Sequence, residues 1–279
     1  MNNYVVFQPA SKFREVARGA LSGKWGLMFA GMLIYFLFST VMETVLNYFF
    51  HILRYVELID GYYYTLQINY AGNLYSMLVS GPLTCGLIMF LMACFRDKKI
   101  DYGLTLEGFG MFWKAFSLYI IYSVKIWLWS LLFVIPGIIA TFRYSMCFYL
   151  RVDHPDWTAG QCIRESGRLM RGNKWKLFTI QFSFIGWAFL AALISTVFEE
   201  MASTGITYIV IVLIGQLPLL LVTMYMRMAE LAFYELLTGN LIIEGPNGIP
   251  YSDISPDNET YEDVIRKREE QRDCDEEGR

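Results

Sequence analysis

Long apolar runs dominate this chain, and a helix needs about 20 such residues to cross a hydrocarbon core about 30 Å thick. Four runs are plain: Leu27 to Phe50, interrupted by Glu43 and Asn47; Leu74 to Phe95; Lys176 to Phe198; and Ile206 to about Met226. A further stretch, Ala115 to Val152, carries Pro136-Gly137 near its middle and Lys125 and Arg143 inside it. At about 1.5 Å per residue it is too long for one straight span and just long enough for two short ones. Composition agrees: 55% of the 279 residues are hydrophobic and 18% charged, against about 25% charged in soluble chains. Ordinary Gly and Pro content and five scattered Cys exclude a collagen-like repeat, a disordered polymer and a disulfide scaffold.

Charge placement separates the two readings of the middle stretch. Lys and Arg collect in short cytoplasmic loops. Lys12, Arg14, Arg18 and Lys24 precede the first span; Arg96, Lys98, Lys99 and Lys114 follow the second; Arg151, Arg164, Arg168, Arg171, Lys174 and Lys176 follow the middle stretch. The segments His51 to Asn73 and Glu199 to Gly205 together hold one basic residue, Arg54. A hairpin turning at Pro136-Gly137 puts all three basic segments on one side, with both termini cytoplasmic; a single kinked helix puts the third outside. Six spans are therefore expected. The first run exceeds the roughly 7 to 15 residues of a cleavable signal's apolar core, so it is expected to stay as an anchor.

Outside the spans, Phe13, Val16, Ala17, Ala20 and Leu21 share one helical face and Lys12, Arg14, Glu15 and Arg18 fall elsewhere, after a cap expected at Ser11. A second amphipathic segment, Trp157 to Met170, sets Ala159, Cys162, Ile163 and Met170 against Arg164, Glu165, Arg168 and Arg171. Both are expected on the cytoplasmic face, where Lys12, Arg14, Arg18, Arg164, Arg168, Arg171 and Lys174 are candidate contacts for anionic lipid headgroups; bracing the bundle at the interface is the plainer alternative. The order basic helix, Gly, Lys-Trp, span occurs twice, with Arg18 to Trp25 matching Arg168 to Trp175, which suggests a weak, parallel internal duplication. From Asn240 to Arg279 the chain carries twelve acidic and five basic residues, the composition of a disordered tail with a marginal helix around 262–272. Asn258-Glu259-Thr260 has the form of a glycosylation acceptor but falls on the expected cytoplasmic side.

No enzyme signature is present: no H-E-x-x-H, C-x-x-C, G-x-S-x-G, phosphate-binding loop or dinucleotide fingerprint. His51 and His154 fall on opposite expected faces, which leaves little for a metal site or a nucleophile and base pair. The thiols, Cys85, Cys94 and Cys147 in spans and Cys162 and Cys274 outside them, read as reduced and structural. What remains are polar groups where lipid should be. Lys125, about 15 Å before a turn at Ile135, and Gln216 reach mid-depth; Arg143, about 8 to 10 Å below the outer surface, and Glu43, near the outer end of the first span, are placed to pair. Together they form a candidate intramembrane polar pocket, against the alternative of satisfied structural hydrogen bonds with Arg143 snorkelling outward. Trp113, Trp127, Trp129, Trp175, Tyr48, Tyr62, Tyr63 and Tyr64 suit interfacial belts or helix packing. Ala188 with Ala192, and Ala191 with Ser195, supply small faces for close helix packing.

Several residues together resemble the bacterial domain-of-unknown-function 975 family of integral membrane proteins: Ile135-Pro136-Gly137-Ile138-Ile139, Arg143-Tyr144-Ser145-Met146, Asp153-His154-Pro155, Ser166 to Met170, Gly172 to Phe178 and Ser183 to Trp187, with Gly81-Pro82-Leu83 and Ala232-Phe233-Tyr234 outside the middle. The chain departs from that pattern at Ala140, Gln181 and Pro218-Leu219. The resemblance implies a bacterial multi-span membrane protein and no particular activity.

The expected architecture is an all-α, polytopic membrane bundle of about six transmembrane helices in a bacterial plasma membrane. Residues 1–25 form a cytoplasmic amphipathic helix, 26–237 the spans with a cytoplasmic helix at 156–172, and 238–279 the acidic tail. The expected function is a non-enzymatic component, without cofactor or nucleic acid, that organises the membrane or interacts with lipid and with membrane-protein partners or a second copy of itself. A transporter or small-solute pathway using the polar pocket is the alternative.

Overall fold

The computed structural model describes residues 5–6, 8–50, 52–57, 63–98, 100–201 and 206–241. The expected acidic tail with its helix at 262–272, Asn258, His51, Tyr62, Lys99 and Cys274 lie outside these residues.

Helix α1 (Ala10–Leu21) buries Phe13, Ala17 and Leu21, the face expected from its periodicity. The expected cap at Ser11 is corrected: Pro9 holds the cap position with extended backbone and its carbonyl takes the first helical bond, from Lys12, at 3.0 Å. A proline there sacrifices no hydrogen bond, because the N–H groups entering a helix have no partner within it. Helix α2 (Trp25–Phe36) runs through a π-helical turn, Leu37–Val41, into α3 (Met42–Phe49). Asn47, a polar interruption of that apolar run, accepts the backbone N–H of Gly72 at 3.1 Å and ties α3 to α4 (Tyr70–Phe95).

Between α3 and α4 the chain forms an antiparallel hairpin, β1 (Ile52–Glu57) and β2 (Tyr63–Ile68), in register from Ile52 opposite Ile68 to Glu57 opposite Tyr63. The rest of the described chain is helical, as the apolar periodicity requires, and this hairpin is its one sheet. Both strands are rich in β-branched and aromatic residues, which favour extended backbone.

After α5 (Leu104–Glu107) and a 3-10 turn, Gly108–Met111, the long α6 (Phe112–Leu132) meets α7 (Val134–Tyr144) at Phe133, whose φ of −162° and ψ of 157° break the helix. The chain then doubles back. Gly137 lies against Ser130, Lys125 lies over the Tyr144 ring, and Tyr122 meets Phe148 of α8 (Cys147–Asp153) with ring centroids 5.4 Å apart, so positions ascend on one arm as they descend on the other. The middle stretch is therefore a helical hairpin. Its turn is at Phe133 rather than at Pro136-Gly137, because Pro136 fits the first turn of α7, where no intrahelical acceptor awaits its missing N–H.

Helix α9 (Ala159–Leu169) starts at a capping box: Gln161 N–H donates to the Thr158 hydroxyl at 3.3 Å and Thr158 N–H donates to Gln161 Oε1 at 2.6 Å. Helices α10 (Lys174–Phe182) and α11 (Ile185–Met201) are bent by 47° where they join. Helix α12 (Ile206–Gly215) leads into α13 (Leu217–Thr238), which ends at Gly239 in the left-handed conformation, φ +80°, that a residue without Cβ adopts freely. Of the two small faces on α11, Ala191 and Ser195 are the buried pair; the Ser195 hydroxyl donates to the Gly215 carbonyl at 2.8 Å.

The last apolar run extends past the expected Met226 to Thr238. Met228 to Leu237 are buried throughout, with Phe13 of α1 set edge-on to Phe233 at 5.7 Å. The charges Glu230 and Glu235 look like solvated positions in the sequence but are buried and paired. By length and composition, four helical segments are suited to cross a membrane: Trp25–Phe49, Tyr70–Phe95, Leu104–Leu132 and Leu213–Thr238. A fifth is reached if the bent α10–α11 pair acts as one.

The two segments expected to be related share local backbone features. Ala10 and Ala159 open their helices, Gly23 (φ +74°) and Gly172 (φ +87°) turn the chain, and Lys24 and Asn173 precede α2 and α10. This correspondence is one residue out of step with the sequence pairing of Lys24 with Lys174.

Candidate functional site

One end of the bundle is closed by charge. Arg96, just past α4, holds both carboxylate oxygens of Asp153 at 2.7 and 3.0 Å, and its Nε donates to Glu235 at 2.8 Å. The Tyr234 hydroxyl donates to Asp153 at 2.7 Å. Burial by itself raises the Asp153 carboxyl, and hydrogen bonds from Arg96 and Tyr234 outweigh it, so the group stays below its ordinary value of 3.8. Nearby, Lys24 reaches the Cys94 carbonyl at 3.1 Å and Asp97, whose hydrogen bond raises the Lys24 ammonium. Val6 N–H donates to Asn173 Oδ1 at 2.8 Å and the Ser166 hydroxyl to the Arg143 carbonyl at 3.1 Å. Thus the starts of α1, α2 and α10 and the ends of α4, α8 and α13 share one end of the molecule. Several family-like motifs meet here as structural ties.

Beside this end lies a groove of about 510 Å³ between α1, α11 and α13. Arg14 and Arg18 form its polar rim, while Trp25, Trp187, Leu221 and Tyr225 are among the residues that make its walls. The Tyr225 hydroxyl donates to the Arg14 carbonyl at 2.9 Å, and its ring packs edge-on to Phe184 at 5.0 Å, so the floor is fixed to the rim. Neither arginine has an acidic partner among the described residues; Arg14 reaches only the Ser183 carbonyl, at 3.5 Å. Trp187 is 67% exposed. A cationic rim over an open apolar trough matches a charged headgroup followed by an acyl chain.

The other candidate lipid contacts fare differently. Lys12 pairs with Glu15 at 2.9 Å. Arg168 Nε donates to Glu165 at 2.8 Å, which lowers the Glu165 carboxyl and raises the guanidinium. Arg164 and Arg171 are exposed, and Lys174 is half-buried at the start of α10. The charge that α9 presents outward is smaller than its sequence implies.

The expected polar pocket is gathered only in part. Lys125 Nζ lies 6.0 Å and Arg143 Cζ 5.6 Å from the centroid of the buried Tyr144 ring, a shared cation–π arrangement. Glu43 sits on α3 and Gln216 at the start of α13, and neither has an ion pair or side-chain bond with those two among the described residues. Arg143 lies beside Gly167 of α9, ten residues past the turn, about 15 Å rather than 8 to 10 Å from it, because α7 begins earlier than expected. That position takes it away from Glu43.

Sequence reading missed two features. Arg151 is 1% exposed and reaches the Trp157 carbonyl, yet its Nε has no partner among the described residues. Arg227 and Glu230 of α13, with Gln181 of α10, line a cavity of about 330 Å³ inside the bundle. Their i, i+3 spacing on an apolar helix was the available signal, hidden by ending the last span at Met226. Cys85, Cys94, Cys147 and Cys162 are buried and free. No group of three His, Cys, Asp or Glu side chains suited to a metal ion occurs among the described residues.

No curated protein and no solved structure matches the chain. Residues 130–240, from the end of α6 to the turn after α13, match the model of the family described as "Protein of unknown function (DUF975)".

Proposed function

We propose that the protein is a non-enzymatic, polytopic component of the bacterial plasma membrane that engages anionic lipid headgroups at its cytoplasmic face through the Arg14–Arg18 groove. In this reading α7 with α8 and the bent α10–α11 pair complete six crossings, and the basic end is cytoplasmic by the positive-inside rule. The observation that carries it is the groove: two arginines without acidic partners among the described residues stand over an open trough walled by Trp25, Trp187 and Leu221. An arginine forks naturally onto phosphate oxygens, and each basic residue near an anionic surface contributes about 1 kcal/mol. The match of residues 130–240 to a family without an assigned activity is compatible with this function and does not specify it.

The test is thermal unfolding of purified full-length protein in a neutral detergent with added phosphatidylglycerol or phosphatidylcholine. Phosphatidylglycerol is expected to stabilise the wild type more than phosphatidylcholine does, and the difference should shrink in Arg14→Gln/Arg18→Gln and much less in Arg164→Gln/Arg171→Gln. An undiminished phosphatidylglycerol response in Arg14→Gln/Arg18→Gln would overturn the assignment.

A further inference from the structure

The cavity inside the bundle is separate from the lipid groove and is built differently. Arg227 lies ten residues past the start of α13 and eleven before its end, about 15 Å from either. Thr84, near the middle of α4, lines the same space. Charges at such depth in an apolar helix are costly and are ordinarily kept where a bundle interior or an aqueous pathway uses them.

Arg227 Nη1 donates to Glu230 Oε2 at 3.0 Å, and Gln181 Nε2 donates to Glu230 Oε1 at 2.6 Å. The Glu230 side chain is 4% accessible, whereas that of Arg227 is 45% accessible and lines the cavity. Tyr149, which lines the same cavity, also interacts with the Arg227 guanidinium, and the accessible part of the five-donor fork keeps further N–H groups for an occupant. Tyr119 and Tyr122 also line the space, and their hydroxyls have no hydrogen-bond partner among the described residues. The arrangement differs from a sealed structural ion pair, in which surrounding groups use up the remaining donors.

We propose that this cavity binds a small zwitterion of amino-acid size, its carboxylate on Arg227 and its ammonium toward Glu230. The two site charges cancel, so a simple anion meets the field of Glu230 and a simple cation that of Arg227; a molecule carrying both signs complements both. A volume of about 330 Å³ is at the small end of the range of about 300–1,000 Å³ for ligand sites, which favours a compact solute. The tyrosine hydroxyls supply neutral hydrogen bonds for its remaining polar atoms.

The experiment uses the purified full-length protein in detergent and follows thermal stabilisation, then calorimetric titration, with each standard L-amino acid added singly and with propionate and ethylamine as one-charge probes. At least one amino acid is expected to bind saturably while propionate and ethylamine do not. Arg227→Lys keeps the charge but loses the fork and should weaken binding by about tenfold or more. Should that variant fail to fold, Tyr122→Phe removes one hydroxyl that has no described partner, and its affinity should fall by a smaller factor. Glu230→Gln should shift preference from the amino acid toward propionate. The proposal is overturned if no amino acid binds, if propionate binds the wild type as well as any amino acid, or if binding is unchanged in both Arg227→Lys and Tyr122→Phe.

Discussion

Replacing Arg96 by Met should destabilise the bundle by more than the loss of its contacts suggests, because it leaves two carboxylates behind. Among the described residues, Arg96 is the one cation held by both Asp153 and Glu235, whose side chains are 17% and 2% accessible. Breaking a buried pair by removing one partner costs about 3–5 kcal/mol, chiefly as the penalty of the charge left unpaired. Tyr234 still donates to Asp153 and Asn240 Nδ2 still donates to Glu235 at 2.9 Å, so the low end applies. The expected cost of about 3 kcal/mol is roughly two powers of ten in the unfolding equilibrium. Unfolding in mixed micelles of rising dodecyl sulfate content reads it directly. The triple variant Arg96→Met/Asp153→Asn/Glu235→Gln should recover more than half of the loss, since it removes the stranded charges without restoring any contact. Acid gives a second readout. The folded Asp153 carboxyl is held below its ordinary value, so its stabilisation is complete above that value and is lost as pH falls from about 4 through the lowered one. Wild type should weaken over that window, and Arg96→Met should lose part of the dependence. A single variant that unfolds along the wild-type curve, or a triple variant no more stable than the single one, would refute the reasoning.

Thr158→Ala removes the acceptor of the α9 capping box and should cost about 1 kcal/mol, read as roughly fivefold faster amide exchange in the first turn of α9; unchanged exchange would count against the cap. Single cysteines at Phe50, Asp101 and Arg171, all exposed, test the out-and-back course of α6 to α8 with a membrane-impermeant thiol reagent in a background lacking the native cysteines. Asp101 and Arg171 should label from one face and Phe50 from the other. Labelling of Asp101 and Arg171 from opposite faces would sink the hairpin as a membrane-crossing unit.

The helical character, the buried face of α1 and the doubling back of the middle stretch were legible because each depends on local composition. Apolar length sets what a helix can span, a 3.6-residue period sets its face, and the clustering of Lys and Arg sets which segments share a side. The turn at Phe133 was misplaced by a few residues because a proline reads equally as a break or as the first turn of a new helix. The candidate sites were less legible. Arg14 and Arg18 stood out by charge alone, but the trough beneath them comes from α11 and α13, and Tyr225 meets Arg14 across 211 positions of sequence.

By itself, then, the sequence determined that the chain forms long apolar helices with basic ends gathered at one end, because those properties belong to contiguous residues. Only the tertiary structure decided which charges are solvated and which are held inside. Glu235 has the same chemistry as any exposed glutamate until Arg96, 139 positions away, closes on it. Arg227 and Glu230 line a cavity together only where α4, α6, α8 and α10 leave a space beside α13. The free energy of a buried charge is set by its partners and surroundings, and neither is a property of its own segment of chain.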